Sequence, residues 1–292
     1  MGGGHQPGAK PVEPGLHLIA TPIGAARDIT LRALDLLAGA EVLAAEDTRS
    51  LRHLMEIHGV ALGDRPLVSY HDHNAEAARP RLMAALAAGK SVVYASEAGT
   101  PLVADPGYQL ARAAVAAGHR LVSAPGPSAV LAALTVSGLP SDRFLFAGFP
   151  PPAKAARAAF LKELAAVPAT LIFYESPKRL AALLAEMAAQ LGDAREAAVC
   201  RELTKRFEEV RRGTLADLAA HYAGAPPKGE IVVVVDRARG RAAGPEDVDA
   251  ALADALGRLS VKDAAAEVAA ALGLPRREVY QRALDLGRAA RE

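Results

Sequence analysis

The chain has 292 residues, 51% of them hydrophobic, and 34 basic against 33 acidic side chains give a formal net charge of +1. That excludes wholesale disorder and a globally basic nucleic-acid coat, though not a local basic patch. One cysteine, Cys200, excludes an internal disulfide and a multi-cysteine zinc site, and no apolar run approaches the ~20 residues that span a bilayer. The Gly/Pro-rich start has no apolar signal-peptide centre, so the expectation is a soluble, cytoplasmic protein with no membrane partner.

In chain order, residues 1–15 read as a flexible tail. Leu16–Ala20 reads as a strand, Thr30–Leu37 as a helix and Glu41–Ala45 as a strand. Ala75–Ala88 is a helix closed by Gly89, Ser91–Ala95 a buried strand, Tyr108–Ala117 a helix closed by Gly118, and Arg120–Ser123 a strand. Strands alternating with helices predict a mostly parallel sheet, with ligands beyond the carboxyl ends of its strands. A break at Ser137–Asp142 precedes strand Phe144–Phe149, helix Ala153–Val167, strand Thr170–Tyr174 and helix Pro177–Leu191. Strands follow at Ala197–Leu203, Phe207–Arg212 and Glu230–Asp236, the last with five consecutive β-branched residues from Ile231 to Val235. Their short connections predict antiparallel pairing.

The expected organisation is an α/β domain over 16–139, a second over 140–238 and a small helical extension over 245–292. Arg237–Pro245 reads as a linker. The extension's helices, Glu246–Leu256, Val261–Leu272 and Arg276–Leu286, carry a Gly273-Leu274-Pro275 turn and resemble a helix-turn-helix. From Arg241 onward there are eight basic and nine acidic residues, so a packing module, a dimer clip and RNA docking all stay open.

The dinucleotide fingerprint GxGxxG is absent after the first strand, where Thr21-Pro22-Ile23-Gly24 stands instead. Gly89-Lys90-Ser91 is not a P-loop, because Ala84 occupies the leading glycine's place and a strand follows. His71-Asp72-His73-Asn74 puts two histidines at i, i+2, on one face of a strand, but no third ligand is evident; no metal is predicted, and a polar strand end facing a cleft is.

Four segments are richer in turn residues and polar groups than a scaffold needs. Glu97-Ala98-Gly99-Thr100-Pro101, with Asp105-Pro106-Gly107, and Pro125-Gly126-Pro127-Ser128-Ala129 are loops that can present main-chain groups to a ligand, or simply tight turns with Thr100 or Ser128 as caps. Ala45-Glu46-Asp47-Thr48-Arg49 can bind, orient or deprotonate a substrate, or begin a helix with Asp47 or Thr48 as cap and Glu46 near its dipole. Phe173 to Arg179 suits stacking and phosphate contact, or a helix start with Ser176 as cap and Pro177 at its first position.

With Asp28-Ile29-Thr30, Gly138 to Phe144, Arg201-Glu202-Leu203-Thr204-Lys205 and Lys228-Gly229-Glu230, these motifs fall in an order that resembles the bacterial ribosomal RNA small-subunit methyltransferase I family. Those are cytidine 2′-O-methyltransferases of the tetrapyrrole methylase superfamily. The resemblance runs from about Leu16 to Asp236, and the helical tail is similar to an extension that some members carry.

It implies two α/β domains with S-adenosylmethionine in the cleft between them, a homodimer, and ribosomal RNA or the assembled small subunit as partner. Carried over by position, it implies cofactor contacts at Pro22, Ile23 and Gly24, at Glu97, Ala98, Gly99, Thr100 and Pro101, at Pro125, Ser128 and Ala129, and at Tyr174. For the proton acceptor it leaves Asp47, His71, His73 and Glu175 open, and it suggests RNA contacts at Arg27, Arg49, Lys178 and Arg179. The chain departs from the family at Glu97, commonly Asp, at Ala25-Ala26, usually Asn-Leu, and at Ala20, commonly Pro.

Overall fold

A computed structural model of the protein describes residues 10–224, 226–238, 245–272 and 274–289. Much of the expected tail and linker, at 1–9 and 239–244, and Gly273 of the expected turn lie outside the described residues. One compact unit holds the described residues of 10–165 and 169–236, and a second holds 166–168 and the described residues from 237 to 289.

The first unit contains two five-stranded sheets. The first sheet is built from β1 (Gly15–Ile19), β2 (Val42–Ala45), β3 (Leu67–Ser69), β4 (Ser91–Ala95) and β5 (Leu121–Ala124), in the order β3-β2-β4-β1-β5. All of its pairs are parallel, as the alternating pattern predicts. Its helices are α1 (Leu31–Gly39), α2 (Thr48–Ile57), α3 (Ala75–Ala87) and α4 (Tyr108–Ala116). Period-2 alternation sends Leu16, Val92 and Tyr94 to a core shared with Leu82 of α3 and Leu110 of α4. Ile19, Leu43 and Val93 go to a core shared with Leu37 of α1 and Met55 of α2. Both faces are therefore covered, and the parallel strands read as continuous apolar runs.

Helix α5 (Ala129–Ser137), ended by left-handed Gly138, leads to the second sheet. That sheet comprises β6 (Phe144–Phe146), β7 (Thr170–Glu175), β8 (Glu196–Arg201), β9 (Glu209–Thr214) and β10 (Ile231–Val235), in the order β6-β7-β10-β8-β9. Only β6–β7 is parallel; the other pairs are antiparallel. With it go α6 (Lys154–Leu164), α7 (Leu180–Leu191) and α8 (Leu215–Tyr222). Cys200 is fully buried among Val130, Ala133, Val232 and other apolar residues, and burial pushes its thiol up to about 12, so it serves as a small apolar core residue.

Three local expectations are corrected. The run His71–Asn74 is not strand: β3 stops at Ser69, and a turn follows in which Asn74 Oδ1 accepts the His71 N–H at 2.8 Å while its Nδ2 donates to the Ser69 carbonyl at 3.1 Å. Helix α7 begins at Leu180, after a turn closed by the Arg179 N–H on the Ser176 carbonyl at 3.0 Å, so Ser176 is no cap and Pro177 no first helical residue. The strand expected over Phe144–Phe149 ends at Phe146.

The second unit carries α9 (Pro245–Leu256), α10 (Val261–Leu272) and α11 (Arg276–Ala289) around its own core of Leu252, Ala264, Val268, Val279 and Ala283. Among the described residues, no helix is long and apolar enough to cross a membrane.

Candidate functional site

In the first sheet the parallel register aligns the carboxyl ends. Ile19 lies beside Ala95 and Ala124, and Ala45 beside Ala95 and Ser69. The segments that leave these ends are therefore neighbours. In the second sheet, antiparallel β10 brings a strand start to the same edge as two strand ends, since Ile231 pairs with both Glu175 and Arg201.

The first sheet's loops are knitted by short bonds. Thr21 and Gly99 exchange backbone hydrogen bonds of 3.0 and 2.9 Å. The Thr21 hydroxyl donates to the Ser96 carbonyl at 3.1 Å, and the Ser96 hydroxyl to the Gly99 carbonyl at 2.5 Å. Thr100 Oγ1 donates to the Pro127 carbonyl at 2.9 Å, joining the third loop. Gly99 has φ +78°, which a β-carbon would strain, and such an atom would also stand 3.3 Å from Ile23. Ser128 caps α5 by accepting the Leu131 N–H, and Asp47 caps α2 by accepting the Arg49 N–H at 2.7 Å.

The second sheet contributes a clasp, residues 202–205, between β8 and β9. Lys205 Nζ bridges Glu202 at 3.0 Å and Glu230 at 3.1 Å. Thr204 Oγ1 accepts the Ala25 N–H at 3.0 Å, so the clasp is seated on the first sheet's leading loop. A β-carbon on Gly24 would stand 2.5 Å from Lys205 Cγ, 2.6 Å from Thr204 Oγ1 and 3.1 Å from the Leu203 carbonyl. Gly24 is thus small because the clasp rests on it. Glu202 and Thr204 hold φ of +51° and +66°, and Leu102 and Ala104 on the opposite loop hold +69° and +53°; such strain in non-glycine residues gathers at ligand clamps.

These loops enclose two adjoining cavities. One, of about 400 Å³, is lined by Ile23, Ala98, Ala129, Phe149, Tyr174 and Val232, with Glu175 and Glu230. The other, of about 570 Å³, shares Ile23, Ala98, Phe149 and Tyr174 and adds Pro22, Gly24, Glu97, Thr100 and Ser128, with Glu46, Asp105 and Lys205. Tyr174 packs edge-on to Phe146 and Phe149, at 4.8 and 5.4 Å between ring centroids, and burial raises its hydroxyl pKa. The combined space has an apolar wall of nucleoside dimensions and an acidic rim.

Of the residues nominated from sequence, Pro22, Ile23, Gly24, Glu97, Ala98, Thr100, Ser128, Ala129 and Tyr174 line this space. Gly99, Pro101 and Pro125 do not line either cavity. Asp47 lines a smaller neighbouring hollow, and the Arg49 backbone and side chain hold its carboxyl below the usual range. His71 and His73 lie together on the turn after β3, 6.0 Å between ring centroids, and line neither cavity. Glu175 is buried and paired with Arg179 at 3.0 Å, and Arg179 also donates to the Pro150 carbonyl. Arg27, Arg49 and Lys178 are exposed, whereas Arg179 turns inward to this pair. Phe149 and Lys205 also line this space but are not among the residues nominated from sequence. Phe149 lies three residues beyond the end of β6, and Lys205 closes the Arg201–Lys205 motif.

Residues 15–219 match the Tetrapyrrole (Corrin/Porphyrin) Methylases, and residues 242–287 match the RsmI C-terminal HTH domain. A ribosomal RNA small subunit methyltransferase I of Mesorhizobium japonicum is 53% identical over 95% of this chain and 94% of its own. One of Xylella fastidiosa is 44% identical over 91% and 97%. In fold, the chain is similar to the methyltransferase CobJ, with a TM-score of 0.59 at 20% identity, over 80% of this chain and 98% of that one. It is also similar to uroporphyrin-III C-methyltransferase from Thermus thermophilus complexed with S-adenyl homocysteine, with a TM-score of 0.53 at 20% identity, over 75% and 96%.

Proposed function

The chain belongs to the ribosomal RNA small subunit methyltransferase I family of the tetrapyrrole methylases, and from that premise we propose that it methylates the ribose 2′-oxygen of a cytidine in small-subunit ribosomal RNA. It is a methyltransferase that uses S-adenosylmethionine, which supplies a methyl group on a sulfonium. The observation that carries the reading is the paired cavity: an apolar wall with an acidic rim, built on loops that hold each other in place.

The residues present fit that cofactor. Ile23, Ala98, Ala129 and Tyr174 would offer apolar surface to a nucleoside, and exposed Glu97 would offer negative charge to a cationic group. The knitted loops supply rigidity, so that an incoming oxygen can be held in line with the methyl carbon; such positioning is worth up to ~7–11 kcal/mol of barrier. Exposed Arg27, Arg49 and Lys178 are the cations offered to RNA phosphates. Arg179 supports the site instead, by neutralising Glu175.

The reading includes a homodimer in the bacterial cytoplasm. Its support is that β5 and β6 are edge strands with Leu121, Phe144 and Leu145 exposed, a pattern that partner association would cover. Light scattering should then report twice the chain mass.

The deciding experiment is transfer of labelled methyl from S-adenosylmethionine to small subunits lacking ribose methylation, with mass mapping of the product. A single 2′-O-methylcytidine supports the reading, and a base-methylated product or none refutes it. The helical unit has its own core, so deleting residues 241–292 should weaken RNA engagement and leave cofactor affinity unchanged. Equal RNA affinity with and without those residues would refute a docking role.

A further inference from the structure

A neutral ribose hydroxyl is a poor nucleophile, and its proton must go to a group within reach. The four acceptors suggested by sequence are poorly placed for this. Asp47 is spent on capping α2 and on Arg49, Glu175 is buried against Arg179, and the two histidines line neither cavity.

Glu46 is different. It is the first residue beyond β2, half-buried, on the wall of the larger cavity beside Glu97, Thr100 and Asp105. Among the described residues no hydrogen bond or ion pair reaches its carboxyl. The other carboxylates on that wall are less free or less enclosed. Asp105 accepts from the Tyr94 hydroxyl at 2.9 Å and the Gly107 N–H at 2.8 Å, Glu230 is paired with Lys205, and Glu97 is exposed.

We propose that Glu46 is the proton acceptor of the transfer, a role that rests on the 2′-oxygen reading above. The O–H bond of the ribose breaks and its proton passes to a Glu46 oxygen. The hydroxyl oxygen bonds to the methyl carbon as that carbon's bond to sulfur breaks, its electron pair staying on sulfur as an uncharged thioether. Glu46 then releases the proton to solvent.

The electrostatics favour this role. Burial, then the like charges of Glu97, Asp105 and Asp72, raise the Glu46 pKa above the ordinary glutamate value and make it a stronger base than a solvated carboxylate. The groups around it are those three acids, Tyr94 hydrogen-bonded to Asp105, Lys205 and Glu230 on the lining of the same cavity, and Asp47 and Arg49 on its own segment, with His71 and His73 on the turn that bears Asp72. Because the acceptor must be ionised, the rate falls as pH drops through that raised value.

The test uses the full-length protein and small subunits lacking ribose methylation, with E46Q, E46D and D47N in parallel. Glu46→Gln should slow single-turnover transfer by about 100-fold or more, the scale of general-base catalysis, with S-adenosylmethionine affinity by calorimetry unchanged. Glu46→Asp should recover part of the rate. Asp47→Asn, which keeps the helix cap, should lose far less of the single-turnover rate than Glu46→Gln. Without cofactor, a difference infrared titration of wild type against E46Q should place the missing carboxyl above the ordinary glutamate range.

Wild-type transfer that survives E46Q, a rate loss that only tracks lost cofactor affinity, a carboxyl titrating in or below the ordinary range, or D47N losing the rate instead would overturn the role of Glu46 alone. No 2′-O-methylcytidine from the wild type would sink the activity reading and this role together.

Discussion

The two sheets build their shares of the cleft by different physics. In the parallel first sheet all carboxyl ends face one edge, and the loops there are joined by hydrogen bonds among Thr21, Ser96, Gly99, Thr100 and Pro127. In the largely antiparallel second sheet strand starts and strand ends mix at that edge, and the segments are held by charge pairs, Arg179–Glu175, Lys205–Glu202 and Lys205–Glu230. Hydrogen bonds between loops give a rigid floor. Ion pairs on an antiparallel edge give a clasp that can be altered one side chain at a time.

The largest test of that contrast is Arg179→Ala. It strands a carboxyl whose side chain is 1% exposed, and losing one partner of a buried pair costs about 3–5 kcal/mol. Urea unfolding should show that loss, and Glu175→Gln in the same background should restore part of it. A loss below 1 kcal/mol would mean that the pair does not hold the second sheet's edge.

A middle-sized effect is expected from Gly24→Ala, where the two regions meet. The added methyl must displace the clasp, and overpacking of this kind costs about 1–3 kcal/mol. If the clasp helps to shape the cofactor cavity, affinity should fall about tenfold, the equivalent of 1.4 kcal/mol, in calorimetric titration. Unchanged affinity would make the clasp a bystander.

The smallest effect concerns the first sheet alone. Asp105→Asn keeps an oxygen to accept from Tyr94 and Gly107 but removes a negative charge that raises Glu46. With less repulsion the ionised form of Glu46 costs less, so its pKa falls and the acid limb of the pH–rate profile moves to lower pH. A limb that stays in place or moves upward would separate Asp105 from the titrating group.

Much of this molecule was legible in its sequence. Four of the five strands of the first sheet, the left-handed glycines 89 and 118 after α3 and α4, and the Ile231–Val235 run buried on both faces follow from local pattern and side-chain chemistry, whereas three-residue β3 does not. Helix α8 is absent from the elements expected from hydrophobic pattern, although Thr214 and Asp217 form a capping box that the sequence carries. Alanine-rich stretches blur the helical period, so α5 shows in the sequence only as a possible start at Ser128.

The division at the site is sharper. Sequence alone picked out the loops that line the cavities, because Gly, Pro, Ser and Thr at strand ends betray backbone under unusual demands. Only the tertiary structure decided what each residue does there. It gave Gly24 to the clasp, Arg179 to Glu175 and Asp47 to a helix cap, and it placed Glu46 among Glu97, Asp105 and Asp72. Those assignments depend on distances between residues far apart in the chain, and proton affinity depends on burial and neighbouring charge, which no local pattern encodes.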